Sequence, residues 1–458
     1  MYIEQLYTNC LAEAAYYIES EGEAAIIDPI RETEPYTELA KKRNAKIKYI
    51  FETHFHADFV SGHIDLAKKV NAPIIYGPMA NTNYKVHNAK DNEEFKLGKL
   101  TFKVLHTPGH TPESTCYLLL DENKKEHAVF TGDTLFVGDV GRPDLLDGVM
   151  TSEELASMLY NSLNKKLKTL PDSVIVYPAH GPGSACGKNI GKETFSTIGE
   201  QKKFNYALKD QSREQFIAQV TDGILPPPSY FFEDARINKE GYDPIENVIR
   251  ENSKPLSLAD FKKEISKGAL ILDTRKADDF EKGFISGSIN IGLNGQYAVW
   301  VGTLIDIKQP MILITQEGTE HESILRLARI GYENVLGFLK GGISAWSERL
   351  EKVSSISAAQ MKAEMKKGTE VMDVRKPGEW GISHLKDATF LPLADFPKNL
   401  EGLDLEKPYI VHCGGGYRSM TAISLMKKEG FTDLINVYGG FGAMVEAGLE
   451  IVTEEVTV

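Results

Sequence analysis

The second half of this 458-residue chain repeats itself, and that duplication constrains the fold more than any other feature. LILDTR at 270–275 recurs as EVMDVR at 370–375, an offset of 100 residues. PMILIT at 310–315 recurs as PYIVHC at 408–413, and GYENVLGFLKGG at 331–342 recurs as GFTDLINVYGGF at 430–441. Each copy alternates short apolar strands with helical stretches such as SILRLARIGY and SMTAISLMKKEGF, which predicts a parallel α/β domain. A period of about 100 residues is too long for a stacked solenoid unit. Two tandem domains follow, over 252–350 and 355–458.

Residues 1–245 read as a separate domain. Apolar runs (AYYIES, EAAIIDP, IKYIFETH, APIIYGP, LTFKVLHTPGH, STCYLLL, HAVFTGD and SVIVYPAHG) predict strands, with helices such as YTELAKKRN and SGHIDLAKKV between them. Ile-Leu-Pro-Pro-Pro at 224–228 and the polar sequence after it predict a linker over about 224–250. A net charge of −13 with no run of Lys or Arg argues against nucleic acid or an anionic membrane as partner. No leader-like or membrane-length apolar stretch is present, so the expected location is cytoplasmic. Only Cys10, Cys116, Cys186 and Cys413 occur, too widely spaced for a disulfide framework or a structural zinc site. Cys10 and Cys116 sit in apolar, strand-like sequence and are expected in the core.

The chemistry-bearing residues of the first domain, His54, His110, Asp133 and His180, each follow a predicted strand, where a sheet holds side chains with little freedom. His54, His110 and Asp133 form a candidate metal shell. Two imidazoles and one carboxylate leave open positions on one side of an ion, the pattern of non-haem iron sites that take a substrate and dioxygen together. His56, Asp58 and His180 would surround that shell. Zinc accepts the same donors, and Asp58, Asp133 and His180 offer a weak second site.

THFHADFVSGH, HTPGHTPES, TGDTLFVGDVGRPD and YPAHGPGSACG together resemble the persulfide dioxygenases of the metallo-β-lactamase superfamily, in particular the bacterial forms fused to rhodanese domains. The resemblance implies an αββα sandwich with one Fe(II) per such domain, on His54, His110 and Asp133. It implies oxidation of a low-molecular-weight thiol persulfide by O2 to sulfite, and self-association as a dimer or tetramer. The superfamily's H-x-H-x-D-H loop loads two metals; here its last histidine is Phe59, whose ring has no lone pair to donate. Single-domain relatives usually keep that histidine and are still regarded as mononuclear, so Phe59 supports a single ion without being required for it. Two further residues near the loop are open to two readings each. Arg142 either holds the carboxylate end of a thiol such as glutathione or pairs with Asp139 or Asp144. Cys186 is either a sulfur relay, its thiol acidified by a Gly/Ser-rich loop and Lys188, or a buried inert thiol.

Cys413-Gly414-Gly415-Gly416-Tyr417-Arg418 lies between a predicted strand and a predicted helix. Three glycines let backbone N–H groups converge on the sulfur, and a helix N-terminus adds partial positive charge. Such a loop suits a thiolate or cysteine persulfide, with Arg418 to bind sulfite or thiosulfate. With DVR and the late GGF segment, residues 355–458 resemble a rhodanese domain, which makes Cys413 the sulfur-carrying nucleophile and Gly414, Gly415, Gly416 and Tyr417 its substrate-binding loop. The family's G-H-I-x-G-A segment is altered here to GISHLKDA. In the first copy Thr315 stands where Cys413 falls, followed by an acidic loop, so residues 252–350 are expected to be a catalytically silent rhodanese-like domain. The whole is an α/β chain: a metallo-β-lactamase αββα sandwich followed by two rhodanese-like parallel-sheet domains. Its expected activity is persulfide oxidation coupled to sulfur transfer that forms or consumes thiosulfate. The alternative is a zinc thioester hydrolase like glyoxalase II with an appended sulfurtransferase.

Overall fold

In the run Ala14-Ala15-Tyr16-Tyr17-Ile18 every side chain is buried. A strand covered on both faces is apolar throughout rather than alternating, which is why the run stood out in the sequence. In the computed structural model, which describes residues 1–146 and 148–453, it belongs to a six-stranded sheet with strands in chain order. These are β1 to β6: Tyr2–Thr8, Glu13–Ser20, Glu23–Ile27, Lys46–Phe51, Ile74–Tyr76 and His87–Asn88. A second sheet is built in the order β12-β11-β10-β9-β8-β7. Its strands β7 to β12 are Glu94–Leu97, Leu100–His106, Thr115–Leu120, Glu126–Gly132, Ile175–Pro178 and Ser196–Thr197.

The two sheets share one core, in which Tyr16, Ile18, Phe51 and Ile75 meet Phe102, Val104, Tyr117 and Phe130. Alternate residues of β9 face the other way. Leu118 and Leu120 pack with Ala156 and Leu159 of the helix Ser152–Ser162 and with Phe216 of the helix Arg213–Thr221. Outside the first sheet, Ile64 of the helix His63–Val70 packs with Ile74 and Tyr76. Helices thus cover both outer faces, the expected αββα sandwich. Cys116 is a core residue as expected, its thiol pushed up to about 11 by burial. Cys10 is not: it lies half-buried in the turn between β1 and β2.

The expected linker holds only around its prolines. Phe231–Glu240 and Ile245–Asn252 are helices, and Phe231, Asp234 and Asn238 are buried. Two of those buried residues are polar, so a hydropathy reading assigns them to solvent. The first compact unit accordingly spans Met1–Val248, with Ala328–Gly331 grouped with it.

The second unit, Ile249–Leu327 with Tyr332–Val458, holds both copies of the repeat. Strands β13 to β17 (Pro255–Leu256, Leu270–Asp273, Ile289–Asn290, Met311–Ile314, Val335–Leu339) form a sheet in the order β13-β17-β16-β14-β15. In the second copy β18 is Ser354–Ile356, β19 Glu370–Asp373, β20 Ser383–Leu385, β21 Thr389–Phe390, β22 Tyr409–His412, β23 Leu434–Val437 and β24 Ile451–Thr453. Its sheet runs β18-β23-β22-β19-β21, and β20 pairs with β24 in a separate ribbon. Every pairing in the two five-stranded sheets is parallel. Asp273 lies opposite Ile314 and Asp373 opposite His412, so Thr315 and Cys413 occupy equivalent strand ends. The same buried ion pair supports both, Arg275 to Asp273 and Arg375 to Asp373, each 2.6 Å. Among the described residues no helix is long and apolar enough to cross a membrane.

Candidate functional site

Strand ends of both sheets deliver the metal-type donors to one place. His54, His56 and Asp58 lie on the loop after β4, His110 follows β8, Asp133 directly follows β10, and His180 follows β11. The ligand atoms of His54, His110 and Asp133 lie within 4.8 Å of one another and all three residues are buried. His110 Nε2 is 3.4 Å and His54 Nε2 3.9 Å from Asp133 Oδ2. The far side of each ring fixes its proton. His110 Nδ1 is 2.8 Å from the Arg142 carbonyl, an acceptor only, so Nδ1 carries the hydrogen. Thr53 Oγ1 donates to Asp28 Oδ2 at 2.8 Å, which leaves its oxygen to accept from His54 Nδ1 at 2.9 Å. Both Nε2 lone pairs therefore face Asp133. Burial, then the neighbouring His56, His110 and His180, holds His54 well below the usual imidazole range and so neutral.

Among the described residues, neither Nε2 nor either Asp133 oxygen has a hydrogen-bond partner. Buried groups of this kind normally do, at about 1–3 kcal/mol for each one left unmet. A divalent cation satisfies them together, and a two-histidine, one-carboxylate set fits Fe(II) and also accepts zinc.

His56, Asp58 and His180 form an adjoining buried cluster. His180 Nδ1 faces the Ala12 carbonyl at 3.1 Å, and its Nε2 lies 3.3 Å from Asp58 and 3.5 Å from Asp133. His56 Nε2 is 3.2 Å from Asp28. Phe59 is fully buried with its ring 4.4 Å from that of His56, a hydrocarbon where the two-metal pattern has a donor.

Cys186 reaches this pocket: its sulfur lies within 4.8 Å of ligand atoms of Asp133 and His180. Of its two readings, the buried inert thiol is the one its surroundings favour. Burial, then the charges of Asp58 and Asp133, pushes the thiol well up, and Lys188 Nζ is turned to the carbonyls of Gln219 and Asp222 (2.7 and 2.9 Å). Arg142 is not free to hold a thiol's carboxylate. Its guanidinium grips Asp144 at 2.6 and 2.7 Å and donates to the carbonyls of Ala185 and Leu225. Its part in the site is its own carbonyl, which orients His110.

Asn238 lies within the expected linker, where nothing in the sequence marks it as part of a site. Its amide donates to the carbonyls of His56 and Phe59, both at 2.8 Å, and accepts from Ser61 N–H at 2.9 Å. It thereby fixes the loop that carries His56 and Asp58. Asn238→Ala is expected to weaken metal retention by about 10–100-fold, the usual effect of losing a group that orients ligands. Chelator competition on the purified variant measures it; retention equal to wild type refutes the assignment.

The thiol centre lies in the second unit. Cys413 follows β22 and is buried. Gly416, in the left-handed region at φ +104°, donates its N–H to Cys413 Sγ at 3.1 Å from the N-terminus of the helix Tyr417–Lys428. Ser419 Oγ, 3.6 Å from the sulfur, is a second polar neighbour that the sequence reading missed; its place just after Arg418 was the available signal. Gly415 is the exposed member of the loop, and the Cys413 carbonyl accepts from Phe441 N–H at 2.7 Å.

Arg418 is not a free anion clamp, because its guanidinium pairs with Glu379 (Nη2 to Oε1, 2.8 Å). Tyr417 is not directed to substrate, because its hydroxyl donates to the Gly292 carbonyl at 2.7 Å. In the first copy Thr315 donates to Glu320 at 3.3 Å, and no thiol stands at that strand end.

Comparison with known proteins agrees with this division. The Metallo-beta-lactamase superfamily matches residues 8–180, and the rhodanese-like domain matches 257–349 and 357–447. A probable hydroxyacylglutathione hydrolase of Schizosaccharomyces pombe is 36% identical over 210 residues, 41% of this chain and 78% of that protein. The mitochondrial persulfide dioxygenase ETHE1 of Homo sapiens is 29% identical over 208 residues, 45% of this chain and 74% of that protein. A crystal structure of a metallo-beta-lactamase from Staphylococcus aureus subsp. aureus COL has a TM-score of 0.66 and 32% identity, covering 74% of this chain and 99% of that one. The matched sandwich, with its convergent histidines and aspartates, and the duplicated parallel sheets behind it mean that this chain belongs to the metallo-beta-lactamase superfamily and carries two rhodanese-like domains after that domain.

Proposed function

We propose that the first unit is an Fe(II) persulfide dioxygenase and the last domain a sulfurtransferase that handles its product. The observation that carries this reading is the coexistence, in one chain, of a buried two-histidine, one-aspartate cluster and a buried thiol in a glycine loop. The substrate class is a low-molecular-weight thiol persulfide, with glutathione and coenzyme A as candidate carriers. In the overall reaction R–S–SH, O2 and water give R–SH and sulfite: the sulfane sulfur yields four electrons to dioxygen, the S–S bond breaks, and water supplies the third oxygen. Iron held by His54, His110 and Asp133 supplies the redox chemistry. Buried walls such as Phe59 exclude bulk water, and the Asp58–His180 pair beside Asp133 offers a place to hold a proton. Cys186 reaches the same pocket, but burial and the nearby Asp58 and Asp133 keep its thiol protonated, and a thiol that does not ionise is a poor sulfur acceptor, which favours the inert reading over the relay.

In the last domain the Cys413 thiolate attacks the outer sulfur of a second R–S–SH, the S–S bond breaks, R–SH leaves, and Cys413 carries one sulfane sulfur as a persulfide. Sulfite attacks the outer sulfur, the S–S bond breaks, and its electron pair returns to Cys413 Sγ, where Gly416 N–H receives the charge. Thiosulfate leaves, and the reverse transfer uses the same loop. Anaerobic loading with iron, followed by oxygen-electrode assay with glutathione persulfide, tests the first step. Oxygen uptake with sulfite or thiosulfate as product is expected; no uptake by iron-loaded protein removes the dioxygenase reading. The 36% identity to a hydroxyacylglutathione hydrolase supports a second reading, a zinc thioester hydrolase. About two zinc ions per chain with hydrolysis of a hydroxyacylglutathione would favour it, since that chemistry uses a metal pair.

A further inference from the structure

The helix Tyr417–Lys428 starts at the thiol loop, and its residues Ser419–Met426 are all buried. A helix buried all round needs partners on every side, and its own sheet is only one of them. Two of its residues are tied to the copy that has no thiol. Tyr417 donates its hydroxyl to the Gly292 carbonyl at 2.7 Å, and Ser424 Oγ accepts from Asn290 N–H at 2.9 Å. Residues seven apart differ by about 20° around a helix, so both ties lie on one face, two turns apart.

The receiving segment is built for a close fit. A Cβ on Gly295 would lie 2.5 Å from Cε2 and 2.6 Å from Cζ of Tyr417, so only glycine lets the ring lie against that backbone. The silent copy also holds this segment in place. Arg326 donates to the carbonyls of Leu293 (2.6 Å) and Gly295 (3.1 Å), and Asn290 Nδ2 donates to the carbonyls of Asp273 and Arg275.

We propose that the silent rhodanese-like copy is the seat of the active thiol loop, with Tyr417 as a positioning residue docked on Gly292 and Gly295. Gly416, whose N–H reaches the Cys413 sulfur, is the residue before Tyr417. A shift of the tyrosine therefore moves the donor that stabilises the sulfur anion. The copy without a thiol thus contributes to sulfur transfer without touching substrate. The inference rests on Cys413 as the sulfur carrier.

The test uses the full chain with two readouts: sulfur transfer from thiosulfate to cyanide across thiosulfate concentrations, and the rate of iodoacetamide labelling of Cys413, read from the mass of its peptide. Tyr417→Phe, which removes a single oxygen, is expected to lower kcat about 3–10-fold, the scale of one lost hydrogen bond, with KM within about twofold. Gly295→Val, which displaces the ring, is expected to lower kcat about 100-fold, as misplacement of a reacting group does. Labelling of Cys413 slows in both. If Gly295→Val does not fold, Tyr417→Phe carries the test alone. Wild-type kcat and labelling in Tyr417→Phe, or a change confined to KM, overturns the proposal. Wild-type protein that transfers no sulfur refutes the sulfurtransferase reading instead, while the labelling rates still decide whether Tyr417 positions the loop.

Discussion

Asp133→Ala is expected to leave the first unit unable to hold iron and to abolish oxygen uptake with glutathione persulfide. Asp133 is the one anion in the candidate shell; His54 and His110 are neutral donors that hold a dication poorly by themselves. Groups that merely orient ligands cost about 10–100-fold in metal affinity when removed, so loss of the carboxylate itself is expected to exceed that. The sign of the stability change separates this role from a structural one. Among the described residues neither buried Asp133 oxygen has a hydrogen-bond donor, an arrangement that costs about 1–3 kcal/mol per unmet group unless a cation satisfies it. Removing them should leave the metal-free Tm equal to or above that of wild type. Adding iron anaerobically should raise the Tm of the wild type alone, because a ligand stabilises only the fold that binds it. Metal analysis, oxygen uptake and melting curves check the three parts; a variant that binds iron at wild-type stoichiometry and consumes oxygen contradicts the assignment.

How much of this was legible in the sequence depended on what each residue is buried against. Strands such as Glu13–Ser20 were readable because nearly every side chain is buried, which leaves an apolar run with no competing interpretation. The edge strand Tyr2–Thr8 was not, since all seven residues are half-buried and its polar members Glu4 and Gln5 break the pattern. The helix Phe231–Glu240 was lost for a related reason. Its buried positions include Asp234 and Asn238, and Asn238 is buried to bind backbone, so hydropathy carried no sign of it.

Within the sites, residues with one chemical use were legible and residues with several were not. His54, His110 and Asp133 follow strands and have little to do there except donate lone pairs, and they converge. Arginine and tyrosine serve equally well as structural anchors. Whether Arg142 meets a substrate or Asp144 depends on a loop conformation, and the partner of Tyr417 lies 125 residues earlier in the chain. Cys186 shows the limit most clearly. Its place beside His180 was visible in the sequence, but the direction of its acidity was not, because that direction is set first by burial and then by the carboxylates of Asp58 and Asp133 on other loops.

Cys413→Ser is expected to separate the two halves of the chemistry. The serine hydroxyl fits the same space but does not ionise near neutral pH or carry sulfane sulfur, so transfer from thiosulfate to cyanide should fall by about 1,000-fold or more, as when other covalent nucleophiles are deleted. Oxygen uptake by the first unit should persist, since none of His54, His110 and Asp133 belongs to the thiol loop. The sharpest readout is the product. With glutathione persulfide and oxygen, wild type should accumulate thiosulfate, because sulfite is captured by the sulfur on Cys413, whereas Cys413→Ser should accumulate sulfite with little thiosulfate. Separation of the two anions from one reaction gives the answer directly. Thiosulfate from the serine variant at the wild-type rate would mean that sulfite takes its second sulfur at another place, for which Cys186, whose sulfur lies within 4.8 Å of a ligand atom of Asp133, is the thiol to test; a Cys186→Ser, Cys413→Ser double variant would then decide whether that thiol is responsible.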